Sequence, residues 1–401
     1  MKNRAAATPL APLVLIVALF FLWGVANNLN DVLIAHFKRL FTLSDFQAGL
    51  VQSAFYLGYF TLAIPAALFM RRFGYRAAVL LGLCLYGAGA LLFWPAAGAA
   101  SYPAFLVALF VIASGLGFLE TSANPLIARL GDEEGAARRL NLAQAFNPLG
   151  SIAGVLIGRT FILSNGDDHS ATAVQIPYLT IGLGVLFWAL LIRLTPFPAV
   201  ATDHDDAEGP GAAGDLLAVL RRGRVQLGIV AQFFYVGAQV GIWSFLIRYA
   251  EVAMPGTSQR AASDYLTASL VAFMVGRFGG TALMGRIRPL PLLAIFAAAA
   301  AACCLVATAV GGFAGVVALV ASSIFMSIMY PTIFAGSVRG LGGLTKSASA
   351  LLVMAIIGGA VFPALMGLVS DASGTILDAM LVPAACFGVV LTFALTARRS
   401  A

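Results

Sequence analysis

The chain has 401 residues, 61% of them hydrophobic and only 10% charged, with a mean hydropathy of +0.94. Soluble domains carry roughly a quarter charged residues, so a water-soluble fold of this length is excluded for want of polar surface. The formal net charge of +7 raises nucleic acid as a partner, but the basic residues stand in short clusters between apolar runs. That is the pattern of membrane topology, so the expected partners are a lipid bilayer and a small solute, with no nucleic acid.

The chain opens on a basic lead, "MKNRAAATPL", and no A-x-A-like cleavage site follows the first apolar run at a suitable distance, so that run is expected to be retained. A spanning helix needs about 20 mostly apolar residues. Twelve such runs lie near 11–36, 45–70, 75–97, 103–128, 139–164, 175–194, 225–249, 261–284, 289–309, 313–338, 346–369 and 377–397. They are too long for strands and do not alternate. Of the 24 Lys and Arg residues, eighteen fall in one set of loops together with the termini; only Lys38, Arg39, Arg248 and Arg260 fall in the other. This bias predicts a multi-pass protein of the cytoplasmic membrane with both termini in the cytoplasm.

In span 1 the apolar run leads into "ANNLND". At about 100° per residue, Asn27 and Asn28 flank Asp31 on one narrow helix face, with Asn30 off to the side. A charge at mid-bilayer costs a few kcal/mol or more, so Asp31 should face protein or water. The alternative is a helix mouth among headgroups, with Lys38 and Arg39 marking the interface two turns on. Span 4 reads "ASGLGFLETSANP", placing Glu120 and Asn124 one turn apart on one face. Gly115 and Gly117 permit close helix approach. Glu120 reads as a functional acid, or as a structural carboxylate paired with Arg159 or Arg277. Span 5 opens "RRLNLAQAFNPLGS", where Asn141, Gln144, Asn147 and Ser151 form one polar stripe and Pro148 can kink the helix. Amides both donate and accept, which suits a ligand rich in hydroxyls; interhelical bonding is the other reading.

The longest break, 196–222, opens with prolines, turns acidic and Gly/Ala-rich, and ends basic. It reads as a cytoplasmic linker with a short surface helix at 214–222, dividing the chain into bundles at 1–195 and 223–401, six spans each. Weak echoes join the halves: "SANP" in span 4 and "IMYP" in span 10 both place a proline late in the helix. Two related six-helix halves around a central site describe a rocking transporter. In span 7, "AQFFYVGAQVGIWSFLIRY" puts Gln232, Tyr235, Gln239 and Trp243 on one stripe. Amides for hydroxyls and rings for apolar C–H faces fit a sugar, although aromatic residues in membrane helices also serve lipid contact and packing. Tyr330–Pro331 and "IIGGAVFP", with Gly358, Gly359 and Pro363, are helix breakers and mark candidate flexure points.

The four cysteines lie in apolar runs with no zinc-site spacing, and His36, His169 and His204 stand apart from one another, so no metal is expected. There is no phosphate loop or nucleotide fingerprint, which argues against an ATP-driven pump; no enzyme activity is expected.

Taken together, "FFLWGVANNLNDVLIAHFKRLFTLSDFQAGLVQSAFYLGYF", "GLGFLETSANP", "RLNLAQAFN", "AQFFYVGAQVGIWSFLIRYA" and "FMSIMYPTIF" resemble the fucose–galactose–glucose branch of the major facilitator superfamily, over nearly the whole chain. The resemblance implies an all-α membrane protein of twelve transmembrane helices in two pseudo-symmetric six-helix bundles. It also implies alternating access, proton-driven uptake of a monosaccharide, no cofactor beyond the coupling proton, and a monomer. By motif it implies that Asp31 and Glu120 link proton to sugar movement, and that Gln144 and Asn147 line the sugar cavity. Asp31 is the expected coupling site and Glu120 the sugar-linked acid. Asn27, Asn28, Asn124, Gln232, Tyr235, Gln239, Trp243 and Tyr330 complete the expected binding set. Two departures stand out: the loop "SNGDDHSATAVQI" is short, and "MRRFGYR" has Arg71 where the superfamily signature carries an acid. Rival readings are a drug/proton antiporter, which would favour larger apolar or cationic solutes, a non-transporting sugar sensor, and a channel.

Overall fold

The computed structural model describes residues 10–42, 45–157, 171–202 and 212–399; at 27–32, 34–36, 38–39, 45–53 and a few single positions the description is of the backbone alone. Arg159, His169 and His204 lie outside the described residues, as does most of the short loop after span 5. The described chain is helical: α1 (Leu10–Leu40), α2 (Asp45–Gly98), α3 (Tyr102–Arg129), α4 (Ala136–Gln144), α5 (Phe146–Ile157), α6 (Gln175–Leu194), α7 (Ala199–Thr202), α8 (Ala212–Leu220), α9 (Gly223–Ala253), α10 (Gln259–Leu283), α11 (Pro289–Val310), α12 (Gly312–Met326), α13 (Met329–Val338), α14 (Thr345–Met354), α15 (Gly358–Ser373) and α16 (Leu381–Arg399).

Within the described residues these helices fall on the twelve predicted spans, some fused and some broken, with span 5 described as far as Ile157. Spans 2 and 3 run together as α2, interrupted only at Gly74, whose φ of 80° and ψ of 172° suit a residue without Cβ. Span 5 is α4 plus α5, span 10 is α12 plus α13, and span 11 is α14 plus α15 across a short turn at Ala355–Ile357. The predicted linker helix is α8. Its Asp215 forms an ion pair with Arg71 at the end of span 2, so a carboxylate from the linker meets the arginine that stands in the acid's place in "MRRFGYR".

Two compact units form. The first comprises Met1–Ala136, Phe146–Asp215 and Gly343–Met354; the second comprises Ala137–Ala145, Leu216–Gly342 and Ala355–Ala401. Two short helices, α4 and α14, therefore group apart from the remainder of their own spans. In the first unit α1 meets α5 backbone to backbone. A Cβ on Gly150 would lie 1.9 Å from the Phe21 carbonyl oxygen, and one on Gly24 would lie 2.0 Å from that of Asn147. Only glycine admits such an approach, the packing mode expected where lipid offers no hydrophobic drive between helices. α14 joins this unit with Lys346 buried, its Nζ over the Tyr75 ring at 5.4 Å; Arg129 of α3 lies over the same ring at 5.7 Å. In the second unit α9 packs on α15 and α16, and Gly358 brings α15 against the Phe233 carbonyl of α9.

Polarity is turned inside out. Leu194, Leu368 and Ile176 are each more than 60% exposed, whereas Glu120, Asn124, Asn141, Gln232 and Arg277 are buried. A fold whose solvent is hydrocarbon keeps its hydrogen-bonding groups within.

Candidate functional site

α3 carries the acid. Ile112 through Ala128 is buried without interruption, and Glu120 is only 1% exposed, with Asn124 fully buried one turn on. Thr121 and Ser122 between them return their hydroxyls to the helix, to the Gly117 carbonyl at 2.7 Å and the Phe118 carbonyl at 2.6 Å. Those two hydroxyls are thereby satisfied within their own helix, and Glu120 and Asn124 are the other two polar side chains of this buried turn. Beside Glu120 stands Tyr59 of α2, within electrostatic reach. Tyr59 packs on Phe55 and on Trp23 of α1, at centroid distances of 5.4 and 6.4 Å. Asp31, Asn27, Asn28 and Asn30 lie on the helical backbone of α1, and their side chains are outside the described residues.

The stripe expected along span 5 is not one stripe. The helix breaks at Ala145, and the amides divide between the units. Asn147 donates from Nδ2 to the Phe20 carbonyl of α1 at 3.3 Å, and Ser151 bonds back to the Asn147 carbonyl. Asn141 and Gln144 belong to the second unit. Asn141 donates to Thr332 Oγ1 of α13 at 3.1 Å, and Gln144 accepts from Arg277 of α10. The sequence pattern assumed a continuous helical period; the break at Ala145, three residues before Pro148, interrupts it.

The span 7 stripe does survive, on unbroken α9. Tyr235 donates its hydroxyl to the Met326 carbonyl at 3.0 Å. Trp243 donates from Nε1 to Ser323 Oγ at 3.2 Å, and Ser323 in turn pairs with Ser269 of α10 at 2.6 Å. The Trp243 ring stands edge-on to Phe273 at 5.1 Å, so its orientation is set by packing as well as by its hydrogen bond. Gln232 is fully buried, with neither amide atom hydrogen-bonded among the described residues. Such an amide is costly to leave in an apolar setting, and its hydrogen-bonding capacity is unspent. Gln239 is half-buried, and Tyr330 is buried with its ring 6.5 Å from that of Tyr235. Sequence reasoning missed Trp23, Tyr59, Ser269, Ser323 and Thr332, and assigned Arg277 only as a possible partner of Glu120. No metal-binding group of His, Cys, Asp or Glu occurs among the described residues.

Among the described residues, long apolar spans, buried carboxyl and amide side chains and three broken helices describe a polytopic membrane protein with the build of a transporter. The sequence pattern of the Major Facilitator Superfamily matches residues 14–363, and the chain belongs to that superfamily. It is 47% identical to the L-fucose-proton symporter of Escherichia coli K12, over 96% of this chain and 92% of that protein. It is 36% identical to a glucose/galactose transporter of Brucella abortus, over 95% of this chain and 93% of that one. A crystal structure of the superfamily transporter FucP in the outward conformation superposes with a TM-score of 0.91 at 46% identity, covering 96% of this chain and 98% of that one. The proton:xylose symporter XylE, at 14% identity and a TM-score of 0.75 over 96% and 95%, shares the fold.

Proposed function

We propose that this chain is a proton-coupled monosaccharide symporter of the bacterial cytoplasmic membrane, working as a monomer with both termini inside and no cofactor beyond the proton. The observation that carries the reading is Glu120, a carboxyl 1% exposed in the middle of a membrane span, with Asn124 buried beside it. Relatives named for L-fucose–proton symport and for glucose/galactose transport support the substrate class.

In this mechanism Asp31 takes the coupling proton and Glu120 is the acid that meets the sugar. With both carboxyls neutral, the loaded carrier reorients without moving a bare charge past apolar walls. Amides hold the hydroxyls: Asn27, Asn28 and Asn124 beside the acids, Gln144 and Asn147 on span 5, Gln232 and Gln239 on span 7. Tyr235, Trp243 and Tyr330 supply ring faces for the apolar side of the sugar.

The test is uptake by proteoliposomes of a panel of radiolabelled monosaccharides (L-fucose, galactose, glucose, xylose), each with and without an imposed pH gradient. Accumulation of at least one sugar only with the gradient is expected. D31N should retain sugar exchange and lose accumulation; a D31N protein that still concentrates sugar on a pH gradient ends the coupling role. E120Q should flatten the pH dependence of sugar binding, and an unchanged profile would make Glu120 structural.

A further inference from the structure

Arg277 lies on α10, 4% exposed, and among the described residues no carboxylate pairs with it. Its donors go to two main-chain carbonyls and one side-chain amide oxygen. Nε donates to the Ser327 carbonyl at 2.6 Å; Nη1 donates to the Gln144 carbonyl at 3.1 Å and to Gln144 Oε1 at 3.2 Å. These two carbonyls have something in common. A helical carbonyl accepts from the N–H four residues on, and proline has none to give. Four residues after Gln144 is Pro148, and four residues after Ser327 is Pro331. The guanidinium closes on the very oxygens that two prolines leave without a donor.

The two breaks are built alike. Each proline is the third residue of the helix that follows, α5 from Phe146 and α13 from Met329. A proline alone does not produce this arrangement, since Pro125 sits inside unbroken α3. At span 10 the preceding carbonyl, Met326, is capped as well, by Tyr235. The charge of Arg277 is supported by the C-terminal ends of α4 and α12, where helix dipoles favour a cation, and by the face of Phe273 at 4.6 Å.

We propose that Arg277 is a positioning residue which supplies, from α10, the donors that Pro148 and Pro331 withhold, so that one guanidinium sets the broken ends of spans 5 and 10 and aims the Gln144 amide. Because a guanidinium carries only donors, the amide atom facing it is Oε1, and Nε2 is the end directed elsewhere. A sugar hydroxyl meeting that amide is met by a donor. The role of Gln144 toward sugar rests on the symporter reading; the clasp on the two carbonyls does not.

The experiment combines R277Q and R277K with P148A and P331A, reading thermal midpoint in detergent and the half-saturation and maximal rate of sugar counterflow in liposomes. R277Q is expected to lower the midpoint and to raise half-saturation about ten-fold, the loss of roughly one charge-assisted hydrogen bond, with the maximal rate within about two-fold. Adding P148A or P331A restores an N–H to one carbonyl, and should recover part of the midpoint; P148A should also recover part of the half-saturation. If R277Q does not fold, R277K carries the same cycle, since a lysine has no planar fork to reach both carbonyls. The proposal is overturned if neither proline substitution recovers any of the lost midpoint, or if half-saturation is unmoved when Arg277 is replaced. A wild-type protein that exchanges no monosaccharide overturns the functional reading instead, and the thermal cycle still decides for or against the clasp.

Discussion

Asn141 shows how far a residue's chemistry can be read before its neighbours are known. An amide in a membrane span must be satisfied, and a sugar hydroxyl or another helix can do that equally well. In the structure it is another helix: Nδ2 bonds both the Ala137 carbonyl, at 2.8 Å, and Thr332 Oγ1. Thr332 also returns its own hydroxyl to the Ile328 carbonyl at 2.6 Å, leaving its oxygen as the acceptor for Asn141. We expect N141A and T332V each to cost about 1 kcal/mol, the usual worth of a buried polar contact in a membrane protein. The double variant should cost less than the two combined, as measured by thermal or denaturant unfolding in detergent. Strict additivity would mean that the pair does not act as a pair. Glu120, by contrast, stands out in the sequence as a carboxyl in an apolar span, and the structure buries it.

At the scale of elements, the glycine contacts say which helix pairs can tolerate change. The seam of α1 and α5 has no room for a side chain: Gly150 meets the Phe21 carbonyl and Gly154 the Val25 carbonyl, at 1.9 and 2.6 Å from a built Cβ. On α6, Gly184 is exposed with nothing within 4 Å of such a Cβ. G150A should therefore reduce folded yield and lower the thermal midpoint by several degrees, a loss of about 1–3 kcal/mol from forced backbone separation. G184A should be neutral or slightly stabilising, because alanine is the better helix former. Fluorescence-detected size exclusion over a temperature ramp compares them directly. In the sequence both are simply glycines in apolar runs; only the packing separates them. The broken spans teach a related lesson. Pro148 and Pro331 are visible as breakers in the sequence, but the arginine that answers both comes from a third helix, more than 120 positions from one of them and about 50 from the other.

For the whole molecule, the energetics of coupling set a bound that transport can check. One proton entering down 100 mV releases about 2.3 kcal/mol. At about 1.4 kcal/mol per factor of ten, that supports roughly 50-fold accumulation of a neutral sugar. We expect proteoliposomes under a 100 mV potential, inside negative, to approach that ratio and to lose it on adding a protonophore. An accumulation ratio that follows a sodium gradient and ignores the protonophore would replace the coupling ion.

Composition alone determined that the chain lives in a bilayer, since 10% charge cannot clothe a soluble protein of this length, and run length determined the twelve spans because hydrocarbon thickness is nearly constant. The residue types of the site were legible for the same reason: polar groups in hydrocarbon stand out. What the sequence could not reveal was the partner of each polar group. A helical period assumes an unbroken helix, and the break at Ala145 sends Asn141 and Gln144 to one unit and Asn147 to the other. Hydrogen bonds such as those of Arg277 join residues distant in the chain, so tertiary packing alone decided them.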